Sequence, residues 1–196
     1  MTDAEIFETH GCVVVKDFLD SHTISILSQY FENKIRRGEW EEGSEGKHEV
    51  SKYFYYADPL VEVLLQQSKN AVEEVVGKEL LPTYSYSRIY QPGEQLEPHT
   101  DRPSCEVSVT VNVAFSGEMS PIYMQYKHND PEKHILNPGD AVVYKGCETM
   151  HWRRPMKDTQ LNVQFMLHYV DKNGPYAEFE KDKRPAYGMN STTWSQ

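Results

Sequence analysis

Glu106-Val107-Ser108-Val109-Thr110-Val111-Asn112-Val113 alternates without a break, with valine on one parity and Ser108, Thr110 and Asn112 on the other. Successive strand residues point to opposite faces, so the stretch reads as a β-strand with one apolar face. Residues 161 to 169 repeat the pattern, Leu161, Val163, Phe165 and Leu167 against Asn162, Gln164, Met166 and His168. An ordinary solvated face carries charge, whereas these polar parities are short and uncharged. The pattern predicts a mainly β, barrel-like sandwich. Its apolar faces turn outward onto supporting helices, and its polar faces line an inner cavity.

The neighbouring sequence extends this reading in both directions. Tyr84, Tyr86, Arg88 and Tyr90 share one face of a strand that ends at the turn Gln91-Pro92-Gly93. On the other side, Ile122 to Lys127 is a strand that turns through His128-Asn129-Asp130-Pro131 and returns near Ile135. Asn137-Pro138-Gly139-Asp140 is a further turn and Ala141 to Lys145 a further strand. Before Pro82 the period is helical. Ile24, Leu27, Phe31 and Ile35 mark one helix from Ser21 to Arg36-Arg37-Gly38, and Asp58-Pro59 opens a second that Gly77 closes, with Val61, Leu64, Leu65, Val72, Val75 and Val76 as its stripe. Residues 11 to 18, with Val13-Val14-Val15 between polar neighbours, read as a short strand. Residues 39 to 51 are acidic and aperiodic and lead into Tyr53-Phe54-Tyr55-Tyr56. They read either as a lid with an aromatic end or as a connection whose rings cap the core. The tail after Asp171 is polar, punctuated by Tyr176, Phe179 and Trp194; it either packs along the barrel or is partly disordered.

At 196 residues the expectation is one domain. It divides into an N-terminal part (1–81), a β core (82–175) and a tail (176–196). Cys12, Cys105 and Cys147 cannot all pair internally and form no Cys-x-x-Cys. With no basic, apolar leader pattern and no membrane-length run, a cytoplasmic protein is expected. A net charge of −10 argues against nucleic acid as the main partner.

The candidate chemistry lies in Glu97-Pro98-His99-Thr100-Asp101-Arg102-Pro103 and in the distant His151. An imidazole and a carboxylate two residues apart on a strand share a face, and a second imidazole completes two nitrogens and one oxygen. This donor set leaves positions open on non-heme Fe(II). Of the remaining histidines, His10, His22, His48, His128 and His134 sit in polar or turn contexts and read as surface residues. His168 falls on the cavity parity, near a metal or substrate but not as a ligand.

The order of strand, His-x-Asp, further strands, a Pro-Gly-Asp turn and strand, a second histidine and a final strand resembles the Fe(II)/2-oxoglutarate-dependent oxygenases, especially the prolyl-4-hydroxylase-like group. The wording Arg88-x-Tyr90-x-Pro92-Gly93-x-x-Leu96-x-Pro98-His99-x-Asp101-Arg102-Pro103-Ser104-Cys105 is similar to small bacterial and phage members. So are His151-Trp152-Arg153 and His168-Tyr169-Val170-Asp171-Lys172-Asn173-Gly174-Pro175. The resemblance covers roughly residues 82 to 175. It implies a double-stranded β-helix (jelly-roll, cupin-like) with N-terminal helices packed on the outside of one sheet, and His99, Asp101 and His151 as iron ligands. It also implies 2-oxoglutarate as cosubstrate, dioxygen as oxidant, and hydroxylation of an amino acid, peptidyl side chain or small polar metabolite with release of succinate and carbon dioxide.

One departure stands out. Where relatives usually carry an arginine or lysine for the far carboxylate of 2-oxoglutarate, this chain has Gln160, Leu161, Asn162 and Val163. A confined dicarboxylate calls for a charge-assisted partner. Arg153, two residues after His151, and Arg88, beside Tyr86 and Tyr90, are the candidates. Tyr90, Asn112 and Gln164 are candidate polar contacts. The departure also motivates two rivals, a cupin-like metalloenzyme that does not use 2-oxoglutarate and a catalytically silent ligand-binding jelly-roll.

Overall fold

The computed structural model describes residues 1–42, 49–50, 53–157 and 161–189. Among these, two antiparallel sheets form a sandwich. The larger runs in the order β1 (Cys12–Val15), β10 (Ala141–Lys145), β7 (Val107–Ser116), β12 (Leu161–Asp171), β5 (Leu80–Tyr90), β4 (Tyr53–Tyr56), β2 (Glu41–Glu42). The smaller runs β3 (Glu49–Val50), β6 (Gln95–His99), β11 (Thr149–Arg153), β8 (Ile122–Tyr126), β9 (Glu132–His134).

Alternation places the main core outside the sandwich. Val107, Val109, Val111, Val113, Phe165 and Leu167 pack against Leu27, Phe31, Val61, Leu65, Val72 and Val76 of the helices. The inner face therefore keeps the polar parity of β7 and β12, with Ser108, Thr110, Asn112, Gln164 and His168 all buried between the sheets. No described helix is long and apolar enough to cross a membrane.

The helices depart from the sequence reading in three places. First, α1 (Asp3–His10) was not legible from periodicity, since it buries only Phe7. Its signal is the capping box between Thr2 and Glu5 and the left-handed Gly11 that ends it. Second, α2 (Ser21–Arg37) buries Lys34 in place of Ile35, which is 44% exposed. Lys34 Nζ sits 2.7 Å from Asp58 Oδ2, and that carboxylate also caps the next helix through Leu60 N and Val61 N. Third, the stretch up to Gly77 forms two helices, α3 (Pro59–Gln67) and α4 (Lys69–Val76), because Ser68 relaxes to ψ −9°. The polar run Gln66-Gln67-Ser68 offers no apolar residue to hold the two halves in line.

The segment after α2 pairs with both sheets, β2 with β4 and β3 with β6. The lid reading of residues 39–51 falls largely on 43–48 and 51, which lie outside the described residues. Of the aromatic run, Phe54 is buried and stacks on Tyr86 with centroids 5.7 Å apart, while Tyr56 faces the cavity. The described part of the tail packs along the barrel. Glu62 and Arg184, both about 1% exposed at the side chain, pair at 3.0 Å, and Ser85 N and Gly188 N donate to the same carboxylate.

Candidate metal centre and adjoining cavity

The register of β6 against β11 sets His99 directly opposite His151. Their ring centroids stand 4.3 Å apart. Asp101 lies beyond the end of β6, so the shared strand face anticipated for His99 and Asp101 is not what orients the carboxylate. Asp101 N donates to Gly146 O at 2.8 Å, and Ser108 Oγ donates to Asp101 Oδ2 at 3.0 Å. A Cβ on Gly146 would come within 2.1 Å of Cys105 O and 2.7 Å of Asp101 Oδ2. Only glycine lets the β10–β11 turn come this close behind the carboxylate.

Asp101 Oδ1 then stands 3.6 Å from His99 Nε2 and 3.5 Å from His151 Nε2. His99 Nδ1 lies 2.8 Å from Glu97 O, and His151 Nδ1 lies 3.0 Å from Thr149 O. A carbonyl only accepts, so each Nδ1 carries the proton and each Nε2 presents its lone pair to the shared space. Burial alone would raise the Asp101 carboxyl. In the metal-free chain the His151 and His99 imidazoles, when protonated, attract and donate to it, outweigh that and hold it well below the usual carboxylate range; a metal ion would take the place of those protons. The arrangement offers two neutral nitrogens and one anionic oxygen to a single ion, the donor set of a facial 2-His-1-carboxylate site.

A second layer supports it. His168 Nδ1 lies 2.9 Å from Ser108 Oγ, and burial pushes the His168 imidazole down to about 4, so it is neutral near pH 7. His168 donates to Ser108, which donates onward to Asp101. Tyr144 packs its ring 4.8 Å from His151. Neither Gly146 nor Tyr144 stands out in the sequence, because their roles depend on the β10–β11 turn folding over the His-x-Asp segment.

His99, Asp101, Tyr144, His151 and His168 line a cavity of about 610 Å³. Tyr84, Tyr86, Arg88, Tyr90 and Gln164 line it, together with Asp182 from the tail. At the mouth, Arg102 makes two 2.8 Å bonds to Asp182 and lies over Tyr84, and Tyr56 donates to Asp182 at 2.5 Å. Asp182 went unnoticed in the sequence, being an acid in a polar tail.

The candidate cosubstrate residues fall into two groups. Arg88, Tyr90 and Gln164 line the cavity; Arg153 and Asn112 are not among its lining residues, and Arg153 meets that lining at Gln164. Arg153 points between the sheets, its guanidinium carbon 5.6 Å from the centre of Tyr90, with Arg88 on the same ring at 5.7 Å. Arg153 donates to Ser120 O and to Gln164 Oε1, both at 2.7 Å, and its buried Nε finds no acceptor among the described residues. No described carboxylate contacts this guanidinium, and burial lowers its proton affinity. Asn112 donates to Leu136 O at 2.8 Å. His134 also differs from expectation. It is partly buried beside Cys12 and is not a free surface residue.

No protein-family model and no curated protein sequence matches the chain. Solved structures similar to it include a Pseudomonas putida prolyl-4-hydroxylase, with TM-score 0.68 and 14% identity over 86% of this chain and 96% of that one. Another is SnoN, a non-heme alpha-ketoglutarate-dependent epimerase from nogalamycin biosynthesis, with TM-score 0.73 and 13% identity over 95% and 90%. A third is an oxidoreductase of the 2OG-Fe(II) oxygenase family from Burkholderia pseudomallei, with TM-score 0.67 and 15% identity over 88% and 90%. SnoN has also been solved with Fe3+, alpha-ketoglutarate and a nogalamycin compound. At these identities the likeness establishes the fold, a mainly β double-stranded β-helix with helices on the outer face of the larger sheet.

Proposed function

We propose that the chain is an Fe(II)/2-oxoglutarate-dependent dioxygenase that hydroxylates an amino acid, a peptidyl side chain or another small polar metabolite. One observation carries this reading: His99 Nε2, His151 Nε2 and Asp101 Oδ1 converge in the wall of one cavity, with both Nδ1 atoms committed to backbone carbonyls. In this reading His99, Asp101 and His151 hold the iron. When bound, iron and 2-oxoglutarate supply the oxidising power, through oxidative decarboxylation to succinate and carbon dioxide with dioxygen. The chain's own residues bind, orient and exclude water. Ser108 and His168 fix the Asp101 carboxylate so that Oδ1 faces the ion. Tyr84, Tyr86 and Tyr90 wall the site against solvent.

The far carboxylate of 2-oxoglutarate needs a cation, and the final strand supplies none. Arg88 from β5 of the larger sheet and Arg153 from β11 of the smaller fill that role across the sandwich, with Gln164 and Tyr90 between them. A buried guanidinium with an unanswered Nε and no acidic partner among the described residues is a site short of an anion. This supports the oxygenase over a cupin-like enzyme without 2-oxoglutarate and over a silent binding module. Arg153→Gln is expected to weaken 2-oxoglutarate binding about 10- to 100-fold, the worth of one to two charge-assisted hydrogen bonds. Iron affinity should change far less, as isothermal titration against each ligand would show. Arg88→Gln should act in the same direction, and an unchanged cosubstrate affinity in both variants contradicts the assignment.

Ser108→Ala removes the donor that holds Asp101 Oδ2. Losing such a supporting partner typically costs about 10- to 100-fold in metal affinity. That loss, read by competition with a metal-sensitive dye, is expected without a change in the circular dichroism spectrum. The expected setting is cytoplasmic, consistent with three free cysteines, and the expected partners are small-molecule or peptide substrates, with no nucleic acid and no membrane. The reaction type is tested by incubating the protein with Fe(II), 2-oxoglutarate, dioxygen and a panel of amino acids and peptides. One succinate per product gaining a single oxygen atom supports hydroxylation. Succinate formation with a product of unchanged or reduced mass points to epimerisation or ring closure instead.

A further inference from the structure

At the edge of the sandwich where β1 ends the larger sheet and β9 ends the smaller, a second set of metal-type ligands comes together. Cys12 Sγ lies 3.7 Å from His134 Nε2, and the same nitrogen lies 3.7 Å from Glu132 Oε2. The three ligand atoms all lie within 4.8 Å of one another. His10 brings Nδ1 to 3.9 Å from the other oxygen of Glu132.

Local structure builds this cluster from two pairs of residues two apart. The left-handed Gly11 between α1 and β1 turns the chain so that Cys12 enters the inner core beside Ile122, Met124 and Leu136, while His10 stays at the rim. A Cβ on Gly11 would meet the Tyr126 ring at 2.4 Å, which fixes the turn. On β9, Glu132 and His134 share a strand face.

A thiol donating to an imidazole accounts for the first contact alone. It leaves unexplained a carboxylate near both groups, which a lone thiol beside an acid does not favour. Metal–sulfur and metal–nitrogen bonds of roughly 2.3 and 2.1 Å at a tetrahedral angle set sulfur and nitrogen about 3.6 Å apart, close to the observed spacing. We propose that Cys12, Glu132 and His134 form a three-residue site for Zn2+, with water as fourth ligand, pinning β1 to β9 across the open edge. On binding, the Cys12 thiol gives its proton to solvent and the thiolate takes the ion. Burial and the neighbouring Glu132 push the free thiol up to about 12, so it stays protonated until a cation arrives.

The inference is independent of the iron reading, and Co(II) titration of the intact reduced protein tests it. The wild-type chain should develop a thiolate-to-cobalt charge-transfer band that is complete by two equivalents, the His99, Asp101 and His151 cluster taking up the other, and Asp101→Ala should keep that band and complete it at one equivalent. Cys12→Ser should lose it, and His134→Gln, which leaves the thiol in place, should weaken it at least about tenfold in affinity. Zn2+ should raise the Tm of the Asp101→Ala protein but not of the Asp101→Ala/Cys12→Ser double variant, in which both clusters are broken. A wild-type titration without the band, or an equally strong band in Cys12→Ser, overturns the proposal.

Discussion

Asp101→Ala is expected to lose iron altogether at micromolar metal, with 2-oxoglutarate-dependent succinate formation falling to background. The carboxylate is the one anionic member of the His99, Asp101 and His151 cluster. Without it, two neutral imidazoles face a doubly charged ion. The cost should exceed the roughly 10- to 100-fold typical of losing a mere supporting contact. Ser108 also loses its acceptor, although Cys105 O remains within 3.2 Å. The fold should survive, because Asp101 adds no apolar packing to either sheet. Iron content after desalting, read beside circular dichroism, checks both parts. Wild-type iron retention in this variant would remove Asp101 from the ligand set.

The second large effect is on stability. Glu62→Ala should cost about 3 to 5 kcal/mol, the usual penalty for stranding one member of a buried ion pair. Arg184 Nη2 lies 3.1 and 3.0 Å from the two oxygens of Glu62 and 2.9 Å from Thr83 O. Ser85 N and Gly188 N lose their acceptor as well. Because Arg184 pins the segment that carries Asp182 to the cavity mouth, loosening the tail should also release the contacts to Arg102 and Tyr56. Urea denaturation is expected to show a lower midpoint. Removing both charges together with Glu62→Gln and Arg184→Met should recover part of the loss. A midpoint unchanged from wild type would mean that the tail contributes nothing to the fold.

The β core was legible because a strand has one strict period and the chain obeys it. The valines of β7 and the Leu161 to Leu167 parity of β12 faced the helices as alternation requires, and the polar parity faced inward. Helical signals were weaker wherever a charge replaced an apolar residue. Lys34 is buried because Asp58, 24 residues on, neutralises it, and no local pattern reports such a partner. Pairs separated further in sequence were invisible: Glu62 with Arg184, Arg102 with Asp182, and Cys12 with His134. The support for Asp101 illustrates the same limit. His99 and His151 were readable as a spaced pair, but Gly146 and Ser108 matter only once the β10–β11 turn closes over them. The two arginines around Tyr90 could be proposed from parity, yet their approach to one ring depends on β5 and β11 meeting across two sheets.

The central claim is that His99, Asp101 and His151 hold an iron ion to which 2-oxoglutarate binds. Anaerobic addition of Fe(II) and then 2-oxoglutarate to the metal-free protein, followed by visible absorption, tests it most directly. A metal-to-ligand charge-transfer band should appear at one equivalent of each, vanish in Asp101→Ala, and need higher 2-oxoglutarate in Arg153→Gln. A wild-type protein that shows no band with both present would contradict the account.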